Sequence, residues 1–415
     1  MSCYSAIRSG TVACSLALAL LLVPATSVAQ SPLPPGMSSS MNLSECGAGA
    51  VPALASPLPS AFAGMLDGAS AEPAATLPGT WGTMSVAPVP ARTEHSVVWT
   101  GSEAIYWAGD GRRDGAAYNP TTDTWRQIAR APLEGRSRHT AVWTGSQMIV
   151  WGGGRGQAVR RDGAAYDPVA DAWEKISSPD GSVGRQSHQA IWTGARMLIY
   201  GGLDASGVPK SGGLSYDPTT DQWEMIPPDP LGPLDTLHVA WTGSDMLLAG
   251  YVDGPDPDSR RARLALFDPP TGAWRTLVGV ELSRYDEPRP IMTDRVVLLI
   301  GVHGPDPADS LSSSVILDTE AACWRTPGAV PPDNDASLDE VWTGSTLLAL
   351  GKAGVAYVPD SDSWLLLPSA PTDATFRDSV PSVWAGDRVL VWSGLRGESS
   401  VALTDGVTFM PGDAP

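Results

Sequence analysis

Six times along this chain an aromatic or other apolar residue is followed, about seven positions later, by a tryptophan, and a seventh time by a phenylalanine. Tyr118 leads to Trp125, Tyr166 to Trp173, Tyr216 to Trp223 and Phe267 to Trp274; Leu317 leads to Trp324, Tyr357 to Trp364 and, more weakly, Leu403 to Phe409. A period of roughly 40–50 residues marks a repeat architecture, in which each unit is one supersecondary element packed on its neighbours. The second unit shows the parts. His139-Thr140-Ala141-Val142-Trp143 and Met148-Ile149-Val150-Trp151 read as short strands ended by Thr144-Gly145 and Gly152-Gly153. Ala164-Ala165-Tyr166 is a third, turned by Asp167-Pro168-Val169-Ala170-Asp171, and Ala172–Ile176 is a fourth. Asp bonds its own backbone in such a turn, and Pro presets φ.

Trp-Thr-Gly recurs at Trp99, Trp143, Trp192, Trp241 and Trp342, and as Trp384-Ala385-Gly386; the fifth unit has Thr293 in place of the tryptophan. The count is seven four-stranded units without long helical periodicity. A lone sheet of this size leaves both faces wet. Packing the sheets side by side around an axis buries those faces and protects the edges. The glycine pair, the tyrosine, the Asp-Pro turn and the tryptophan at fixed spacing together resemble the Kelch motif over roughly residues 81–411. The resemblance is strongest in the first three units; units four to seven keep one glycine of the pair, at Gly250, Gly301, Gly351 and Gly394. It implies an all-β fold, a seven-bladed Kelch-type β-propeller of four-stranded blades. Trp81-Gly82-Thr83-Met84 reads as a fourth strand lacking its first three, so it is expected to complete the last blade, leaving the Phe409 segment redundant or outside it.

The termini give residues 1–29 as a signal peptide, 30–78 as a Pro/Ser/Ala-rich arm or linker, and 79–415 as the propeller. Arg8, the apolar run Val12–Val23 and Ser27-Val28-Ala29 fit a secretory leader cleaved near Ala29, too short in its core to span a membrane. A lipoprotein reading of Cys14 is disfavoured because the apolar run follows that cysteine rather than preceding it. A secreted or periplasmic location follows. Two cysteines, Cys46 and Cys323, remain after cleavage, and in an oxidising compartment they are either bridged or two isolated thiols. The net charge of −18 disfavours nucleic acid and anionic membrane as partners. A monomer is expected.

Sixteen tryptophans invite a carbohydrate-stacking reading. Their repetition at equivalent blade positions instead points to packing between sheets. The histidines and arginines carry the functional expectations. His95, His139, His188 and His238 open the first strands of blades one to four, and His303 lies in the second-to-third loop of blade five. In a propeller the start of the first strand and the second-to-third loop open on one face. Arg92, Arg136, Arg138 and Arg185 precede those first strands, while Arg112, Arg113, Arg160, Arg161, Lys210, Arg260 and Arg261 fall in the loops. A basic half-ring in an acidic protein suits a carboxylate or phosphate, which guanidinium grips bidentately. Arg112, Arg113, Arg138, Arg160, Arg161, Arg185, His95 and His238 are therefore the ligand-binding candidates. The competing structural reading is strong: an Arg-His start to the first strand belongs to the Kelch pattern itself.

Asp256 and Asp258 in blade four, and Asp306 and Asp309 in blade five, alternate in a way that calcium could use, although ordinary acidic loops are the favoured reading. There is no nucleophile elbow, phosphate loop or zinc-protease motif. Galactose oxidase resembles this plan, but its copper site needs a tyrosine cross-linked to cysteine. The sole cysteine of the body, Cys323, sits beside a packing tryptophan, so no cofactor is implied. The main functional expectation is a platform that binds a protein or glycan through the loops of one face. The alternative, implied by likeness to periplasmic sugar-acid mutarotases, is an isomerase (mutarotase or epimerase) on an acidic sugar, with His139 or His188 as acid or base.

Overall fold

The computed structural model of the chain describes residues 40–42, 44–45 and most of 75–413, apart from several stretches between 182 and 401. Its strands form seven sheets of four or more strands. Blade 1 comprises Ser96–Trp99, Ala104–Trp107, Gly115–Asn119 and Thr124–Gln127; blades 2 and 3 repeat this plan from Thr140 to Ile176 and from Gln189 to Ile226. Blades 4, 5 and 6 begin at Leu237, Glu287 and Glu340. Blade 7 is made of Ser382–Trp384, Val389–Trp392, Gly406–Pro411 and, from the other end of the propeller, Gly79–Met84. The first strands touch one another in cyclic order, and that of blade 7 touches that of blade 1, so the ring is closed.

Local chemistry explains each turn. At Trp-Thr-Gly, the Thr100 hydroxyl accepts the Glu103 amide at 2.9 Å, and Gly101 takes φ +97°. Glycine tolerates that conformation at no steric cost. Thr144, Thr193, Thr242 and Thr343 make the equivalent bond.

The spacing of about seven residues is the register of the outer hairpin. Tyr118 pairs directly with Trp125, Tyr166 with Trp173, Tyr216 with Trp223, Phe267 with Trp274, Leu317 with Trp324 and Tyr357 with Trp364. In blade 7 the pair is Trp81 with Phe409. The Trp81 segment closes the last blade, as its isolated fourth-strand pattern predicts. The expectation for Phe409 needs correction: its segment is the third strand, sandwiched between Val389–Trp392 and Gly79–Met84. Phe409 stands where blades 1, 2, 3 and 6 have tyrosine, so it belongs to the closing sheet and is not redundant. Pairing the two chain ends within one sheet removes both ends of the repeat array as free edges.

The expectation of an arm or linker over residues 30–78 is also refined. Ser40–Asn42 adds in parallel to the outer strand of blade 4, and Ser44–Glu45 to that of blade 5. Thr76 bridges Leu366 on the outer strand of blade 6, and Leu77 is buried in the core between blades 6 and 7. These short stretches cap strand edges that would otherwise offer unpaired backbone groups. Cys323, opposite Ser44 in this pairing, is disulfide-bonded; Cys46 lies outside the described residues.

Blades are joined by their tryptophans. The indole N–H of Trp125 donates to Ser85 O, that of Trp173 to Ala129 O and that of Trp223 to Ser177 O, each at 2.8 Å. Trp274 and Trp81 do the same to Pro227 O and Pro368 O at 3.1 and 3.0 Å. Each acceptor lies just past the outer strand of the preceding blade. The rings are half-buried rather than sugar-exposed, with Trp173 packed against the core shared by blades 1 and 2.

Trp173→Ala is expected to cost about 3 kcal/mol of stability, while Trp173→Phe, which keeps the packing and loses the indole donor, costs about 1 kcal/mol. Chemical denaturation checks both; equal losses would show that the hydrogen bond is not a separate contribution.

Candidate binding face

The starts of the first strands, the second-to-third loops and the ends of the fourth strands share one face. Three of the histidines placed there by the sequence do not reach its surface. His95, His139 and His188 are 5%, 9% and 3% exposed. The His139 ring stands edge-on to Trp107 of blade 1, with centroids 5.0 Å apart, and its Nε2 meets Ser96 Oγ at 2.9 Å. His188 repeats this against Trp151, with Nε2 2.8 Å from Thr140 Oγ1. His95 packs on Trp392 across the closure. Each histidine thus leans back onto the previous blade's aromatic. Loss of hydration lowers all three pKa values to about 3, and the buried arginines nearby push the same way. The expectation that His139 or His188 acts as acid or base is therefore corrected: both are neutral and walled in. His95 is likewise a packing residue rather than a ligand contact.

The arginines divide into two sets. Arg92, Arg136 and Arg185, three residues before these histidines, are buried and clamp the hinge between the second and third strands of their own blade. Arg92 bonds Ala108 O and grips both carboxylate oxygens of Asp114 at 3.1 and 3.2 Å. Arg136 bonds Gly152 O and pairs with Asp162 at 3.0 Å. Arg185 bonds Gly201 O and Gly212 O at 3.0 and 2.8 Å. Blade 3 has Gly212 where blades 1 and 2 have Asp114 and Asp162. Arg185 was a ligand-binding candidate; at 5% exposure it is a structural clamp.

The glycine pair serves the same hinge. Gly153 takes φ +81°, and a Cβ there would lie 2.6 Å from Ser137 O and 2.7 Å from His139 Cβ. Only glycine fits, because the first strand passes directly over it.

Other arginines are exposed. Arg138 stands at the innermost rim, its Nε 2.9 Å from Glu94 Oε1 on the neighbouring blade. Both residues have positive φ, +55° and +53°. Arg138 is consequently engaged by a protein carboxylate. Arg161 is exposed, and Arg160 is half-buried with a shielded Nε that has no partner among the described residues. Lys210 is paired with Asp204 at 2.7 Å. Arg260 and Arg261, expected in a loop, instead extend the third strand of blade 4, Ser259–Asp268.

Among the described residues, two clefts open on this face. One, of about 680 Å³ between blades 1 and 2, is lined by Arg112 and Arg113 and also by Arg130 and Arg155, which the sequence reading missed. Arg130 trails the outer strand, and Arg155 sits in a two-residue strand, Gly154–Arg155, just past the glycine pair, a position that Leu395–Arg396 fills in blade 7. The other, of about 670 Å³ between blades 3 and 4, is more apolar, with Leu203, Leu234, Leu237 and His238 on its walls. His238, half-buried, is the ligand candidate among the histidines that the fold does bring to a cavity. Asp256, Asp258, Asp306, Asp309 and His303 lie outside the described residues. Among the described residues no group of three acidic, histidine or cysteine side chains is disposed to hold a metal, and no helix is long and apolar enough to cross a membrane.

With the geometry in place, comparison with known proteins is informative. Residues 79–250 match the KLHDC2/KLHL20/DRC7 Kelch-repeats domain. That stretch runs from the closing strand through blade 3 into blade 4, where the motif is most complete. Among solved structures the chain is similar to one titled "Structure of YjhT", at 14% identity over 78% of this chain and 96% of that one, with a TM-score of 0.48. No curated protein matches. The described chain is thus a β-propeller whose blades are Kelch-like over residues 79–250.

Because the three buried histidines titrate near pH 6.5 when unfolded and near 3 when folded, the unfolded state binds more protons between those values. Stability is full above that window and falls as the pH drops through it. The three together should remove roughly 4 kcal/mol between pH 7.5 and 5.5, and His139→Gln should abolish about a third of this loss. Denaturation midpoints that stay level over this range would contradict the burial of neutral imidazoles.

Proposed function

We propose that this protein is a binding platform that docks a protein partner through the loop face described above. The observation that carries this reading is the division of labour among the polar residues. Three of the histidines, His95, His139 and His188, are consumed by blade packing, while the loops between blades leave clefts and exposed arginines open. Rigid scaffolds with variable loops are suited to recognition. The Kelch-like repeats agree with this use, although fold alone does not decide function. The geometry offers no support for the isomerase alternative, since neither His139 nor His188 reaches a cavity.

The same reading places the protein outside the cytosol. Its support is the leader-like composition of residues 1–29 together with the half-cystine at Cys323. Ser44 lies opposite Cys323, which makes Cys46 the natural partner. Disulfide mapping of the protein secreted by its own host should find Cys46 joined to Cys323 and a chain beginning after Ala29. A cytosolic chain with a free Cys323 thiol would overturn this placement.

Docking itself is tested by site-specific photo-crosslinking in the native host. A probe at Arg161 on the loop face should capture one defined protein, and a probe at Ser146 in the hairpin of the opposite face should not. Capture from both faces alike, or capture of glycan alone, would refute a protein platform.

A further inference from the structure

Beyond a docking role, we infer that the cleft between blades 1 and 2 is a binding site for a small ligand carrying two or more clustered oxyanion groups, phosphate or carboxylate. The site is set apart from the axial mouth. Its walls come from the second-to-third loop of blade 1, from Gln127 and Ile128 at the end of that blade's outermost strand, and from the connector to blade 2. It therefore lies toward the outer side of the blade interface.

Four guanidiniums line it: Arg112, Arg113, Arg130 and Arg155. None of the four makes a side-chain hydrogen bond or ion pair with another described residue. By contrast, Arg126, Arg138, Arg196 and Arg388 each hold a carboxylate at 2.7–2.9 Å. The cleft's own carboxylates do not neutralise it. Asp114 is committed to the buried Arg92, which adds a fifth positive charge behind the wall, and Glu134 is a single exposed acid. In a chain of net charge −18, five arginines against two acids is a concentrated reversal of sign.

The floor is backbone. Gly135 approaches Gly111 so closely that a Cβ on it would overlap Gly111 O, and the Arg155 side chain lies across Gly111. This holds the two loops together and fixes the bases of the arginine side chains. Oxyanions match such a cluster because each guanidinium presents parallel N–H donors. One anion leaves most of the charge unanswered, so a ligand with two or more is required. The walls offer little apolar area beyond Ile128, which excludes a ligand with a large hydrophobic body. The neighbouring cleft with Leu203, Leu234 and Leu237 would suit such a body instead.

Isothermal titration of the intact mature protein with inorganic pyrophosphate and, separately, citrate distinguishes the two sources of oxyanion. The expectation is saturable one-to-one binding of at least one of them, weakened at least tenfold by raising salt from 50 to 200 mM. Arg130→Ala with Arg155→Ala should weaken binding at least tenfold while leaving the thermal midpoint unchanged, since neither side chain supports the fold. Arg196→Ala, removing an arginine paired elsewhere, should leave affinity unaltered. If neither anion binds at millimolar concentration in low salt, or if the double variant binds as the parent does, the inference is wrong.

Discussion

At the seams before blades 1, 2 and 3 the ring is held by an aspartate that closes the outer-hairpin turn and reaches across to the preceding blade. Asp171 has φ +47°; its Oδ1 accepts the Ala129 amide of blade 1 at 2.8 Å and the hydroxyl of its own Tyr166 at 2.7 Å. Two residues on, the Trp173 indole returns a hydrogen bond to Ala129 O. One residue of blade 1 is thus held by both its N–H and its C=O, which leaves no orphaned backbone group at the seam. Asp123 and Asp221 do the same for Ser85 and Ser177. Burial opposes ionisation of Asp171, but the bonds from Tyr166 and Ala129 outweigh it and hold the carboxyl below its usual range. Everything on the loop face inherits its position from this seam, since adjacent blades supply opposite walls of each cleft.

Much of this was legible beforehand. The apolar residue and tryptophan about seven positions apart are cross-strand partners, so their spacing reports a hairpin register directly. The isolated Trp81 strand announced its role because no first three strands precede it. Phe409 misled: its closing partner is 328 positions away by number, at Trp81, and a local search finds only Leu403. Long-range pairing of chain ends leaves no local spacing to read. The closing aspartates Asp123, Asp171 and Asp221 were read as turn chemistry alone, although their partners lie in another blade some 40 residues back.

The site was less legible because the same residue types serve two purposes. Arginine and histidine at the start of a first strand are placed on the ligand face by topology. Whether they face a ligand depends on how deeply the preceding blade's aromatic is seated. Trp107 and Trp151 are fully buried and draw His139 and His188 inward. In blade 4 Leu237 holds the position of those histidines, and His238, one residue further on, is left at a cavity wall. Arg112 and Arg113 were singled out correctly as loop residues. Their companions Arg130 and Arg155 come from a connector and from a two-residue strand just past the glycine pair, outside the motif positions that define the repeat.

The seam is tested most directly by native-state hydrogen exchange at the amides of Ser85, Ala129 and Ser177. All three lie on half-buried connectors outside the strand ladders, and their amides are bonded by the aspartates they meet. The account predicts that these amides exchange together, and only on opening that separates the blades, with free energies approaching global unfolding. Exchange at the rate of an ordinary surface loop would show that the blades are held by apolar packing alone.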